Sequence, residues 1–364
     1  MQISFPEFPM PPRRHTRRVR MTRYDLEFSS DAAISIQSMN NCPASDIEAN
    51  LDQLARLKAA GCDLSRIAVP DRASLSSLER IVARSPLPLV ADIHFDANLA
   101  LGALEAGCPK IRINPGNIRL DKLEEIAKKA KSCGAVIRVG VNSGSIRPAL
   151  RREYGAFSAI ALARTGLEAA ERLEFAGFDQ IVLSLKSSDP WTCIQAYRYV
   201  ADHCDYPLHL GVTEAGTVNE GLARSAVGIG CLLSEGIGDT VRVSLTADPV
   251  EEIRAAKAIL KSLHLRQGVE LVSCPTCGRT EVKLSELAGR IEARLSELDL
   301  NIRVAVMGCR VNGPGEARDC DLGIAGGQGE YLLFLRGEVV SKVPEAEAED
   351  ALFRLIDEHF RKEA

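Results

Sequence analysis

The chain has 364 residues, 46% of them hydrophobic, and a net charge of −4 with acidic and basic residues interspersed. That leaves room for one large domain and a smaller one, and it excludes both a basic nucleic-acid surface and an apolar run of membrane-spanning length. Eleven cysteines are spread too thinly for a disulfide scaffold, and residues 1–12 lack the long apolar stretch of a signal peptide, so a cytoplasmic protein is expected.

Residues 1–31 carry Arg13, Arg14, Arg17, Arg18, Arg20 and Arg23 and read as an irregular basic arm, solvated unless it reaches a substrate. From 32 to 263, short β-branched runs alternate with amphipathic helices. Strands are expected at 33–37, 64–69, 87–92, 110–114, 135–141, 180–185, 207–212 and 240–245. The first helix shows the 3.6-residue period at Ile47, Leu51, Leu54 and Lys58, with Asp46 as cap and Gly61 as stop. Eight such units match the α/β class and the size of a (β/α)8 TIM-type barrel. An open doubly wound sheet is the alternative, disfavoured because no Gly-rich dinucleotide fingerprint follows the first strand. Residues 264–270 read as a linker. Residues 271–364 read as a small α+β domain, with strands at 269–273, 302–307, 321–325, 331–335 and 339–343 and helices near 283–298 and 346–362. Cys62, Cys108, Cys133 and Cys231 fall in or beside apolar elements and are expected to behave as small hydrophobes.

The second domain carries Cys274-Pro-Thr-Cys277 and Cys309-Arg-Val-Asn-Gly-Pro-Gly-Glu316. A CxxC pair and a distant third thiolate can share one metal centre once folding joins their loops. Thiolate suits iron–sulfur clusters or zinc. Neither loop holds a fourth cysteine, so a cluster would keep one iron for a weaker ligand or for substrate. Structural zinc would want another thiolate or a histidine, and only Cys320 lies nearby. A redox dithiol would leave Cys309 without a purpose. Gly308, Gly313, Pro314 and Gly315 would let backbone approach a bulky inorganic group. Iron–sulfur is the favoured reading, with zinc and dithiol left open.

In a (β/α)8 barrel the C-terminal strand ends form the active site. Those ends are crowded here with Arg66, Asp92, His94, Arg112, Asn114, Arg138, Asn142, Ser184, Lys186, Thr213, Glu214, Arg242 and Ser244. Several are spaced by two, which puts both side chains on one face of a strand. Asp92 and Glu214 are candidate partners for some of the cations. Arg66, Arg112, Arg138, Lys186 and Arg242 outnumber them, so the excess charge calls for an anion such as a diphosphate.

These segments carry a resemblance. Gln37-Ser38-Met39, Ala91-Asp92-Ile93-His94-Phe95-Asp96, Arg112-Ile-Asn-Pro-Gly-Asn117 and Arg138-Val-Gly-Val-Asn142 resemble the 4-hydroxy-3-methylbut-2-enyl diphosphate synthase family. So do His209-Leu-Gly-Val-Thr-Glu-Ala-Gly216, Leu233-Ser-Glu-Gly-Ile-Gly-Asp-Thr240, Arg242-Val-Ser-Leu245 and both cysteine loops. The resemblance implies a barrel followed by a cluster domain similar to that of sulfite and nitrite reductases. It implies reductive opening and dehydration of 2-C-methyl-D-erythritol 2,4-cyclodiphosphate in the non-mevalonate isoprenoid pathway. Two electrons would pass from flavodoxin or ferredoxin through a [4Fe-4S] cluster, one per subunit, ligated by Cys274, Cys277, Cys309 and Glu316. Arg66, Arg112, Arg138, Asn142, Lys186, Arg242 and Ser244 would surround the diphosphate. Asp92, His94 and Glu214 would lie nearer the reacting carbons, with Glu214 donating a proton to the leaving hydroxyl. Asn40-Asn41-Cys42 stands where the family usually has Thr-Asn-Thr, and Tyr24–Asp31 replaces a Gly/Pro-rich stretch.

A barrel's last helix delivers the chain to the face opposite the mouth, and a linker of seven residues spans at most ~25 Å. A head-to-tail homodimer, each cluster domain closing its neighbour's barrel, is therefore expected, as the resemblance also implies. The competing readings are a sulfite-reductase-type enzyme or plain electron carrier, and a zinc-stabilised phosphate-binding protein.

Overall fold

A computed structural model describes residues 10–155, 158–309, 315 and 317–361. Contacts divide the chain into two units, one ending at Leu265 and the other beginning at Arg266. No helix among the described residues is long and apolar enough to cross a membrane.

The first unit opens with a hairpin of β1 (Val19–Met21) and β2 (Leu26–Phe28), turned at Asp25 with φ 49°. Eight parallel strands follow: β3 (Ser35–Met39), β4 (Leu64–Ala68), β5 (Leu89–Ile93), β6 (Lys110–Ile113), β7 (Val136–Asn142), β8 (Ile181–Lys186), β9 (His209–Leu210) and β10 (Thr240–Val241). Their order is β8-β7-β6-β5-β4-β3-β10-β9. The two ends meet where Leu183 bridges Leu208 and the Leu183 N–H donates to the Pro207 carbonyl at 2.9 Å. The sheet thus returns on itself as a barrel. Ile67, Ala91, Ile111, Ile137, Val139 and Leu183 alternate outward against the helical layer, in the largest apolar cluster described. Asp46 caps the first helix by accepting the Ala49 N–H, and Gly61 turns the chain beyond it at φ 88°.

From residue 10 onward, the arm read as irregular is ordered for a packing reason. Val19, Met21 and Phe28 lie on Leu64, Val90, Val136 and Val182, the apolar residues at the N-terminal ends of the strands. The hairpin is a lid over the barrel floor. Its arginines are tied down: Arg13 Nη2 meets Asp239 at 2.7 Å, and Arg17 Nε donates to Asp205 at 2.8 Å. Arg14 Nη2 donates to the Tyr206 carbonyl at 2.6 Å.

β9 and β10 are shorter than the runs expected from sequence, although pairing continues: the Arg242 N–H donates to Leu210 at 3.0 Å and that of Thr213 to Ser187 at 3.1 Å. A helix not expected from sequence, Pro148–Tyr154, follows β7. Cys62 and Cys108 are buried, as expected. Cys133, at the end of the helix Leu120–Cys133, is exposed and not a core thiol.

The second unit is one five-stranded sheet of β11 (Glu270–Ser273), β12 (Arg303–Met307), β13 (Leu322–Gly327), β14 (Glu330–Leu335) and β15 (Glu338–Pro344). The first three are parallel and the last three antiparallel. Helices Leu284–Leu295 and Ala348–Phe360 cover one face, packing Leu287, Ile291, Leu352 and Ile356 on Val304, Val306, Ile324 and Leu333.

Candidate active site

Alternation along the barrel strands sends a polar set into the lumen. Asp92 on β5 is the hub: its Oδ1 is 3.1 Å from Arg112 Nη1, and its Oδ2 is 3.6 Å from Arg66 Nε and 3.3 Å from His94 Nε2. Burial alone would raise its pKa, but Arg66, His94 and Arg112 outweigh burial and hold it well below the usual carboxylate range. Arg112 Nη1 also lies 2.9 Å from His94 Nε2. One ring nitrogen cannot serve both neighbours: protonated it donates to Asp92, bare it accepts from Arg112. The position of that proton therefore couples Asp92 to Arg112.

Arg242 is held from a different side. Glu252, on the helix Pro249–Ser262, accepts its Nη2 at 2.9 Å and its Nε at 3.3 Å, together with the Ser38 hydroxyl at 3.1 Å and the Leu245 N–H at 3.2 Å. Glu214 does not partner these cations. It stands exposed in the loop after β9 with φ 52°, a left-handed backbone uncommon outside glycine.

Arg138 and Lys186 have no carboxylate within salt-bridge reach among the described residues, although both are buried. Arg138 Nη1 donates to Ser184 Oγ at 3.1 Å, while its Nε and Nη2 have no partner. Burial, then Arg66 and Arg112, pushes Arg138 down; burial, then Arg138, Arg242 and Arg66, pushes Lys186 well below its usual value. Burial also lowers Arg66, to about 10, with Asp92 opposing. Two glycines clear space for these cations. A Cβ at Gly140 would lie 2.6 Å from Arg112 Nε, and one at Gly211 would lie 2.6 Å from Lys186 Nζ. Asn114 is buried and accepts the Gly116 N–H at 3.2 Å. Asn142 follows Arg138 on the lumen face of β7, and Thr213 and Ser244 lie beyond β9 and β10. Asn40 and Asn41 bond Asn50 and Gln53 on the first helix, at 2.9 and 2.6 Å, and so brace the loop after β3.

In the second unit, Gly308 stitches the two cysteine loops together. Its N–H donates to Cys274 Sγ at 3.2 Å, and its carbonyl accepts the Glu281 N–H at 3.1 Å. A Cβ there would lie 3.0 Å from Thr280 Cγ2 and 3.1 Å from Leu284 Cδ2. Hydrogen bonds from the Arg279 backbone and side chain pull the Cys277 thiol down, toward the thiolate a metal needs. Cys309 is buried beside Gly308. Among the described residues no three metal-ligating side chains stand as one group, and Glu316 lies outside those residues. The donor set itself fits a cluster: soft thiols on two joined loops, with a backbone N–H already aimed at one sulfur.

The GcpE TIM-barrel domain model matches residues 16–257, and the GcpE protein C-terminal domain model matches residues 270–358. The chain belongs to the GcpE family. Its relatives include the 4-hydroxy-3-methylbut-2-en-1-yl diphosphate synthase (flavodoxin) of Geobacter sulfurreducens, 50% identical over 94% of this chain and 97% of the relative. The enzyme of the same name from Clostridium perfringens is 49% identical over 95% of this chain and 99% of its own. Among solved structures, Yersinia pestis dihydropteroate synthase covers 70% of this chain and 99% of its own, with TM-score 0.47 and 16% identity.

Within this GcpE-family barrel, sequence reasoning missed Glu252, because it sits on a helix rather than at a strand end. It also missed Lys110 and Gln37, both fully buried and on the same strand faces as Arg112 and Met39. Period-two spacing from Arg112 and Met39 carries that signal.

Proposed function

We propose that the chain converts 2-C-methyl-D-erythritol 2,4-cyclodiphosphate to 4-hydroxy-3-methylbut-2-enyl diphosphate, taking up two electrons and two protons and releasing water. The observation that carries this reading is the unmatched positive charge of Arg138 and Lys186 in a lumen where Asp92 and Glu252 already answer Arg66, Arg112 and Arg242. Buried cations without counter-charge are costly, and a diphosphate removes the cost on binding.

In this reading the barrel, residues 32–263, binds substrate, and residues 271–364 hold a [4Fe-4S] cluster, one per subunit, through Cys274, Cys277, Cys309 and Glu316. When bound, the cluster would supply the electrons and a Lewis acid toward the substrate, with Glu316 as a weaker ligand than the three thiolates. Arg138 and Lys186 take the diphosphate oxygens with their free donors, and Arg66, Arg112 and Arg242 are oriented for it by Asp92 and Glu252. Asn114, Asn142, Ser184, Thr213 and Ser244 complete the polar wall. Asp92, ionised, orients the His94 ring near the reacting carbons, and Glu214 protonates the leaving hydroxyl. The relatives' name supports reduced flavodoxin as the donor, with ferredoxin as the alternative. The protein works in the cytoplasm as a head-to-tail homodimer, each site combining one chain's lumen with its partner's cluster.

The test is anaerobic purification with iron and sulfide analysis. About four of each per chain and a broad visible absorbance are expected, both lost in Cys309→Ser; full iron in that variant would remove the ligand assignment.

A further inference from the structure

The seam between β8 and the chain around β9 is bonded directly at both ends. The Leu183 N–H donates to the Pro207 carbonyl at 2.9 Å, and the Thr213 N–H to the Ser187 carbonyl at 3.1 Å. In the parallel pattern those two bonds set, the Leu185 N–H would donate to the His209 carbonyl and the Ser187 N–H to the Gly211 carbonyl. Two side chains stand there instead. Tyr197 Oη accepts the Leu185 N–H at 2.9 Å and donates to the His209 carbonyl at 2.5 Å. Cys193 Sγ accepts the Ser187 N–H at 3.0 Å and lies 3.3 Å from the Ser187 carbonyl and 3.9 Å from that of Gly211.

Both come from the helix Pro190–His203, four residues apart and so on one face of it. Asp189 fixes the start of that helix by accepting the Thr192 N–H at 2.9 Å. Tyr197 and Cys193 are buried, and burial raises both, Cys193 to about 11, so each bridges in its neutral form. A purely apolar wedge would leave buried backbone groups unpaired, whereas a hydroxyl and a thiol let the sheet open without that cost.

The opening lies where the candidate site needs space. Lys186 stands between Leu185 and Ser187, the two residues held by the bridges, and faces Gly211 across the seam. A Cβ at Gly211 would be 2.6 Å from Lys186 Nζ, so there is no room for β9 to close on β8. We propose that Tyr197, seconded by Cys193, is a positioning residue for substrate binding. From the helical layer the pair holds β8 and β9 apart at the width that lets Lys186 reach the diphosphate. The inference rests on the diphosphate reading above.

The test is steady-state kinetics with the cyclodiphosphate on full-length, anaerobically purified protein. The variants are Tyr197→Phe, Cys193→Ala and, as control, Val200→Ala, a buried residue of the same helix with no polar atom to bridge strands. In Tyr197→Phe, KM rises about fivefold or more while kcat stays within about twofold, the pattern of lost binding rather than lost chemistry. Cys193→Ala raises KM in the same direction. Val200→Ala lowers the melting temperature and leaves KM within about twofold. Lower melting temperatures with unchanged KM in Tyr197→Phe and Cys193→Ala would make the bridges structural only and overturn the proposal. So would an equal rise of KM in Val200→Ala, which would make general loosening the cause. Added to Lys186→Ala, Tyr197→Phe should change KM by less than about twofold, because it acts through that lysine; a full further rise would overturn the proposal. Lys186→Ala separates the levels: if it raises KM while Tyr197→Phe does not, only the Tyr197 proposal fails. If Lys186→Ala leaves KM unchanged, the diphosphate reading falls too.

Discussion

Glu252 grips Arg242 through Nε and Nη2, at 3.3 and 2.9 Å, from a helix outside the barrel wall. The same carboxylate accepts from Ser38 and from the Leu245 N–H, so one side chain ties together β3, the chain after β10 and the helical layer. Glu252→Ala is expected to destabilise the protein by about 3 kcal/mol in urea unfolding, because it strands a mostly buried guanidinium. Pairing it with Arg242→Met should restore part of that loss. A change below about 0.5 kcal/mol would mean the contact carries no stability.

The barrel was legible in the sequence because period-two lumen residues, Arg66, Asp92, Arg112 and Arg138, interrupt apolar strands at regular places. The hairpin was not, since three-residue strands are too short for a period to register and the arginines around them suggested solvent. Strand ends drew attention to Glu214, whereas the second carboxylate in contact is Glu252, visible only when a helix is folded onto the sheet. The cysteine spacing drew attention to both cysteine loops. That Gly308 joins them depends on a close approach to Thr280 and Leu284 that no local pattern encodes.

Arg138→Ala and Lys186→Ala each remove a buried basic group that has no carboxylate within salt-bridge reach among the described residues. A charge-assisted contact contributes about 1.5–3 kcal/mol, so KM should rise about tenfold or more in each, with the visible spectrum intact. Steady-state kinetics with the cyclodiphosphate measure it. Unchanged KM in both would place substrate binding elsewhere.

The depressed pKa of Asp92 gives stability a direction in acid. Its folded value lies well below the ordinary 3.8, so its contribution is complete above about pH 5 and is lost as pH falls through the folded value. The stability gap between wild type and Asp92→Asn should be constant from about pH 5 to 7 and shrink below about pH 4. Denaturant titrations across that range check this. A gap that instead closed as pH rose would reverse the assigned direction.

The proposed composite sites make a prediction about mixtures. Lys186→Ala and inactive Cys309→Ser, allowed to exchange subunits, should turn over faster at low substrate than Lys186→Ala alone, because a mixed dimer holds one site with Lys186 from one chain and Cys309 from the other. Exchange verified by differential tags, with no such gain in turnover, would refute the head-to-tail arrangement.

The most direct measurement is anaerobic turnover of the cyclodiphosphate with reduced flavodoxin. Wild type should form 4-hydroxy-3-methylbut-2-enyl diphosphate with two electrons consumed per product. Glu316→Ala should retain much of its iron and turn over more slowly, and Cys309→Ser should form none. Product formation by a Cys309→Ser protein shown to be free of iron and sulfide would contradict the account.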